Sequence, residues 1–292
     1  MTTLGQRLSS KTKAGAGVYL RAIFLLLAVL PVAGGLLYGL AYSFGLTGAL
    51  STGFTLQHWQ QVWSSGALLS SLAYSLYIGL VAIALATAAA LFLALYFQRS
   101  LRSGSLSYFL YLPLTIPAMV MGFLVFQLFT KSGLFSRVVY GLGWIDNLQG
   151  FPSLVHDTLG FGIILAHVLM AMPFLTLLFH AIYREQNLEQ LQEVSANLGA
   201  GKSYFVRHIA IPTLLKTAAP NLLLYFIFIL GSYEIPLLIG SQQHQMVSVL
   251  AVQKFQRFNL LDIPQGYAIS VAFTLFVLLL LSISFKKLQR HA

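Results

Sequence analysis

REQNLEQLQEVSANLGAGKSYFVRHIAIPTLLKT, residues 184–217, is the one long polar insertion in a chain otherwise made for hydrocarbon. It carries Glu185, Glu189 and Glu193, three of only seven carboxylates in 292 residues. On either side the sequence returns at once to runs of Leu, Ile, Phe, Val and Ala. A polar segment flanked in this way belongs in water beside a membrane, within reach of a soluble partner.

Composition points the same way. Hydrophobic residues make up 58% of the chain and charged residues 8%, against roughly 25% charged in ordinary soluble proteins. Too few polar side chains remain to cover a water-facing surface. The formal charge of +10 is spread in small groups between apolar runs rather than gathered into a patch, so nucleic acid is excluded as a partner. The absence of cysteine excludes disulfides and thiolate metal sites.

A spanning helix needs about 20 mostly apolar residues to cross roughly 30 Å of hydrocarbon. Six segments qualify, near 22–44, 68–97, 106–130, 159–183, 217–240 and 264–285. The fold expected is therefore an all-α membrane protein with six transmembrane helices embedded in a lipid bilayer. The first span is too long for a signal-peptide core and is read as retained. Thirteen of the seventeen Lys and Arg residues fall before the first span, after the second, in the insertion or at the C-terminus. Lys131, Arg137, Lys254 and Arg257 fall on the other side. By the positive-inside rule both termini and the insertion are cytosolic. The expected organisation is a cytosolic tail (1–21), a first helix with its outer loop (22–65), a core (66–285) and a second tail (286–292). Trp59 and Trp63 in the uncharged first outer loop suit an interfacial belt. Segments 134–145 and 246–261 read as short amphipathic helices on the outer surface.

Prolines interrupt three consecutive spans: Pro113 and Pro117, Pro173, then Pro220 and Pro236. Each removes a helical hydrogen bond and crowds the carbonyl four residues earlier. In a membrane such breaks persist where neighbours or a water-filled cavity satisfy the freed groups, so each proline marks either a packing kink or a pathway lining.

Within the insertion, residues 185–198 have helical periodicity. Leu188, Leu191 and Leu198 lie close to one face, bordered by an acidic stripe of Glu185, Glu189 and Glu193. Like charges four apart oppose a helix by roughly 0.2–0.5 kcal/mol per pair, which a cationic groove on a partner would relieve. Gly199 is a natural helix C-cap. A short amphipathic stretch, 203–211, follows, and Pro212 disfavours helix at the residue before it. The expected shape is helix, glycine turn, short helix and re-entry into the membrane. Leu198–Ser203, LGAGKS, ends like a phosphate-binding loop, but Ala196 stands where that pattern needs glycine, and a helix rather than a strand leads in.

Glu193-Val194-Ser195, then Gly199, then Ile209 and Ile211-Pro212 resemble the EAA motif, EAA-x3-G-x9-I-x-LP, of permease subunits of binding-protein-dependent type I ABC importers. Val194 and Ser195 replace the two alanines, and Ile211 replaces leucine. The resemblance covers about residues 66–285, with the first helix an additional span. It implies the type I permease fold in the inner membrane of a bacterium. The motif loop would be a coupling helix docking into a dimer of ATP-binding subunits, which carry the ATP and magnesium; no cofactor is expected on this chain. Glu193 would meet a cationic groove, Val194, Ser195 and Ala196 the close-fitting face, and Gly199, Ala200, Gly201 and Lys202 the turn. Ile209 and Pro212 complete the motif. A second permease subunit, a related paralogue rather than a second copy, and an extracytoplasmic solute-binding protein complete the implied assembly.

Glu234 is the only carboxylate, lysine or arginine well inside an expected span. Such residues usually face a cavity or a partner helix. With Tyr233 and Pro236 it is a candidate for substrate contact, for an interface between permeases, or for a satisfied structural role. His167 and His180 lie thirteen residues apart on the fourth span, too far for one metal site, and no reactive constellation appears anywhere. A stand-alone ion-coupled carrier or channel is the alternative, although such proteins usually hold several intramembrane charges. The stretch around Glu234 resembles the spermidine/putrescine branch of the family, near permeases for thiamine, ferric iron, sulfate and phosphonates. A small cationic solute is the expectation.

Overall fold

A computed structural model describes residues 3–48, 51, 53–102 and 104–291. In chain order the helices are α1 (Thr3–Ser43), α2 (Gln57–Ser64), α3 (Ala67–Tyr96), α4 (Gln98–Arg102), α5 (Ser105–Leu114), α6 (Ala118–Phe129) and α7 (Leu134–Gly141). They continue as α8 (Phe161–Glu185), α9 (Leu188–Asn197), α10 (Lys202–Phe205), α11 (Ile211–Leu230), α12 (Glu234–Ile239), α13 (Val247–Gln256) and α14 (Asp262–His291). No strand occurs among the described residues. Six stretches are long and apolar enough to cross a membrane, the number the sequence leads one to expect. The third, however, is Ala118–Gly141, which takes in part of the segment expected at 134–145, and the fifth is Lys202–Leu230. The 1–21 tail is helical from Thr3. Met1, Thr2 and Ala292 lie outside the described residues, as do the side chains of Arg7, Lys11, Lys13, Arg21, Arg99, Lys287 and Arg290.

Two compact units divide the chain. Residues 1–65 with 253–292 form one, in which α1 and α2 pack on α14. There Tyr42 stacks on Tyr267 with ring centroids 4.5 Å apart. Lys254 and Arg257 both reach Asp262, at 3.2 and 3.4 Å.

Residues 66–252 form the other unit, built on the pairing of α3 with α8. Ala82, Ala86, Ala90 and Ala94 are fully buried along α3. Small side chains let backbones approach closely where lipid supplies no hydrophobic drive between helices. A Cβ added at Gly79 would lie 2.8 Å from the Phe226 ring of α11. The buried residues gather into two clusters. One, around Leu95, Leu175, Phe179 and Leu214, includes Leu188 of α9 and Phe205 of α10. The other joins Ile78, Val125 and Ile163 to Ile235 and Ile239 of α12.

The third and fifth spans depart from expectation. The apolar stretch expected at 106–130 is cut into α5 and α6 at 115–117. Pro117 is extended, with ψ 151°, and the residue before a proline is pushed out of the α region. The fifth span ends at Leu230 rather than near 240, and α12 stands beyond it as a separate turn and a half. Pro113, Pro173 and Pro220 lie inside continuous helices. Of the five prolines flagged, only Pro117 and Pro236 accompany breaks.

Candidate functional site

The insertion folds as a knob, with one correction to its start. Sequence periodicity predicts an unbroken helix from 185 to 198, whereas α8 stops at Glu185 and α9 begins at Leu188. Asn187 makes the corner at φ 50°, in the left-handed region that asparagine tolerates better than most residues. The far end of α9 closes as expected. Gly199 stands at φ 84°, its N–H donating to Ala196 O at 2.9 Å, while Ala200 N–H donates to Ser195 O at 2.9 Å. These paired bonds satisfy the last carbonyls of the helix in a Schellman cap. Gly201 is extended, and Lys202 then opens α10. The LGAGKS resemblance to a phosphate loop is thereby accounted for as a helix cap.

α9 presents three different faces. Leu188 is fully buried, and Ser195 is buried with its Oγ donating to Gln192 O at 2.8 Å. These two, with Phe205, anchor the knob. A second face is apolar and exposed: Leu191 at 45%, Val194 at 54% and Leu198 at 83%. The third is polar. Glu189, Gln192, Glu193 and Ala196, spaced by three and four, line a cavity of about 630 Å³ whose other walls come from α3, α4, α8 and Lys202. Two expectations change here. Leu188 does not share a face with Leu191 and Leu198. The acidic stripe finds a cation within this chain, since Arg102 of α4 grips Glu189 through Nη2–Oε2 at 3.0 Å and Nη1–Oε1 at 3.4 Å. The helical spacing of Leu191, Val194 and Leu198 signals their shared face, whereas nothing local in the sequence signals Arg102, 87 residues from its partner.

Beyond the cap the chain stays helical from Lys202 to Leu230. Ile211 does not leave the helix, contrary to expectation. Residues 206–210 form a π-helical turn, and Ile211 N–H donates to Val206 O, five residues back. The wider turn takes up the crowding that Pro212 imposes. Ile209 is half-buried and Ala210 fully buried within this turn. The Lys202 ammonium lies 5.8 Å from the Tyr96 ring centroid.

At the other end of the same span, Glu234 opens α12 with an exposed side chain, while Tyr233 is half-buried and Pro236 buried. Among the described residues Glu234 has no ion pair. The carbonyl of Ser232 in the break accepts a bond from Ser248 Oγ. Another opening, of about 400 Å³, lies beside the break in the third span. Its walls include Ile116, Phe174, Asn221, Tyr225 and Phe228, with Phe174 and Tyr225 stacked at 5.8 Å. None of these was singled out from sequence, because a run of apolar and aromatic residues reads as ordinary core. His167 is buried, with Nδ1 2.8 Å from Ile163 O. No group of three His, Cys, Asp or Glu residues among those described is placed to hold a metal.

Residues 86–291 match the family described as "Binding-protein-dependent transport system inner membrane component". The chain is 26% identical over 287 residues to the putative 2-aminoethylphosphonate transport system permease protein PhnV of Salmonella typhi, covering 97% of each. It is 28% identical over 158 residues to the probable sulfate transport system permease protein cysT of Chlorella vulgaris, covering 52% of this chain and 58% of that one. The fold is similar to a chain in the crystal structure of a bacterial ABC transporter involved in the import of the acidic polysaccharide alginate. The TM-score there is 0.74 and the identity 13%, with 98% of both chains covered. At that identity the likeness is one of fold alone.

Proposed function

As the chain belongs to the family of binding-protein-dependent transport system inner membrane components, we propose that it is the permease subunit of an ATP-driven importer. ATP and magnesium reside on a separate pair of subunits, a second, related permease completes the pathway, and a solute-binding protein delivers the cargo. Both termini and the knob face the cytosol of a bacterial cell, on the side holding most of the basic residues. The family supports this reading over a stand-alone carrier or channel.

One observation carries the coupling assignment. The EAA-like spacing falls on a capped two-helix knob whose Leu191–Val194–Leu198 face is exposed while Leu188 and Phe205 fix its base. A row of apolar side chains on a polar knob is what a partner's cleft covers, since large exposed apolar patches mark interaction surfaces. When ATP closes the nucleotide subunits, the knob is drawn with them, and the continuous helix 202–230 carries that displacement into the membrane. Introducing Glu at Val194 and Leu198 should abolish copurification of the ATP-binding subunit and solute uptake while leaving membrane insertion intact. Normal copurification would remove the knob from this role.

The solute we propose is small and acidic rather than a polyamine. Two named relatives concern sulfate and a phosphonate; neither supports the polyamine expectation drawn from Glu234. Exposed and unpaired at the break, Glu234 is better suited to the contact with the second permease.

A further inference from the structure

We infer that the cavity of about 630 Å³ beside α9 holds the headgroup of a phospholipid bearing both a phosphate and a primary ammonium. Its depth is the first reason. The apolar stretches end at Tyr96 and Glu185, and the cavity is walled from Leu95 and His180 outward to Arg102 and Lys202. His180 is five residues from the end of α8, roughly 7.5 Å along the axis. The opening therefore lies where hydrocarbon gives way to headgroups, whichever side of the membrane this end occupies.

Charge is the second reason. Arg102, Arg184 and Lys202 all line the space. Arg102 is engaged with Glu189, whereas Arg184 has no ion pair among the described residues and Lys202 meets only the Tyr96 ring. Guanidinium and ammonium groups here match the oxygens of a phosphodiester. Basic pockets between spans bind phospholipid headgroups in this way. Among the described residues one lining carboxylate, Glu193, has no ion pair, and an ethanolamine ammonium answers it. A quaternary choline has no N–H to donate, and a glycerol headgroup has no positive charge.

The third reason concerns access. Tyr96 and Phe97 line the cavity and are 60% and 44% exposed. They cluster with Phe92, at centroid distances of 5.1 and 6.0 Å. Aromatic rings of this kind belong at the membrane interface, and they give acyl chains a wall to lie against. A free phosphate would have no use for such a wall. The bound headgroup would rest on the polar face of α9, leaving Leu191, Val194 and Leu198 open.

The test is native mass spectrometry of the full-length, detergent-purified chain titrated with ethanolamine, choline and glycerol phospholipids of identical acyl chains. The wild type should retain one ethanolamine lipid in preference to the others. R184Q/K202Q should weaken retention about thirtyfold, R184K/K202R should restore it, and Glu193→Gln should erase the preference for ethanolamine over choline. Equal retention by wild type and R184Q/K202Q would overturn the site. Preference for the glycerol lipid would overturn the role of Glu193, and saturable binding of inorganic phosphate without lipid would overturn the lipid source. None of these readouts depends on an ATPase partner, so failed import and a failed lipid site remain separable.

Discussion

The two ends of α11 meet the same problem and resolve it oppositely. Pro212 near its start and Pro236 beyond its end each lack an N–H and crowd a carbonyl four residues back. At the first, the helix continues because a π turn shifts the bond of Ile211 to Val206. At the second, it stops after Leu230, and the Ser232 carbonyl is satisfied by Ser248. A proline therefore does not decide by itself whether a span breaks. What decides is where the freed carbonyl finds its donor and whether the next element has its own packing, as α12 has against α6. The outcome is a continuous rod from the knob into the membrane and a joint at the opposite end.

Removing the π turn would break the contrast most severely. Deleting Arg207 should return 206–210 to α-helical spacing, with the segments on either side staying nearly in phase, and so restore the clash between Pro212 and the carbonyl four residues back that the wide turn relieves. Uptake is then expected to vanish although the chain still inserts, and solute-stimulated ATPase activity in proteoliposomes checks it. Gly199→Val should come next. A Cβ at Gly199 has no neighbour within 4 Å, so the cost is purely that of holding a β-branched residue at φ 84°, of order 1–3 kcal/mol. Uptake by Val, Ala and Asn variants at this site should rank Asn highest and Val lowest; equal uptake by all three would mean that the turn is not held in this conformation. The smallest effect belongs to the joint. Ser248→Ala strips the donor from Ser232 O, and leaving such a group unmade costs about 1–3 kcal/mol. A lowered unfolding temperature in detergent, with the ranking of transported solutes unchanged, is the outcome that fits.

These contrasts also mark how far the sequence could be read. The six spans were legible because about 20 apolar residues in a row have few other uses. The knob was legible because Gly199 and Pro212 have narrow conformational meanings at fixed distances. What escaped depended on contacts distant in sequence. The acidic stripe read as a request for a partner's cation because Arg102 lies 87 residues before Glu189. The leucines 188, 191 and 198 read as one face from their spacing, yet Leu188, at the first turn of α9, packs into the core cluster that also holds Phe205, while Leu191 and Leu198 face outward. Pro117 and Pro236 looked no different from Pro113, Pro173 and Pro220, since the donors available to their freed carbonyls are set by tertiary packing.

The alanine stripe of α3 has a consequence for how such a chain changes over evolutionary time. Positions 82, 86, 90 and 94 are held by what cannot be added, because each is already fully buried. On the opposite side Leu80, Leu85 and Phe92 are exposed, and any side chain compatible with lipid serves there. Drift is free on one side of the helix and nearly frozen on the other. Substitutions on the exposed side can therefore accumulate while α3 and α8 continue to meet at the same distance, provided the four alanines stay small.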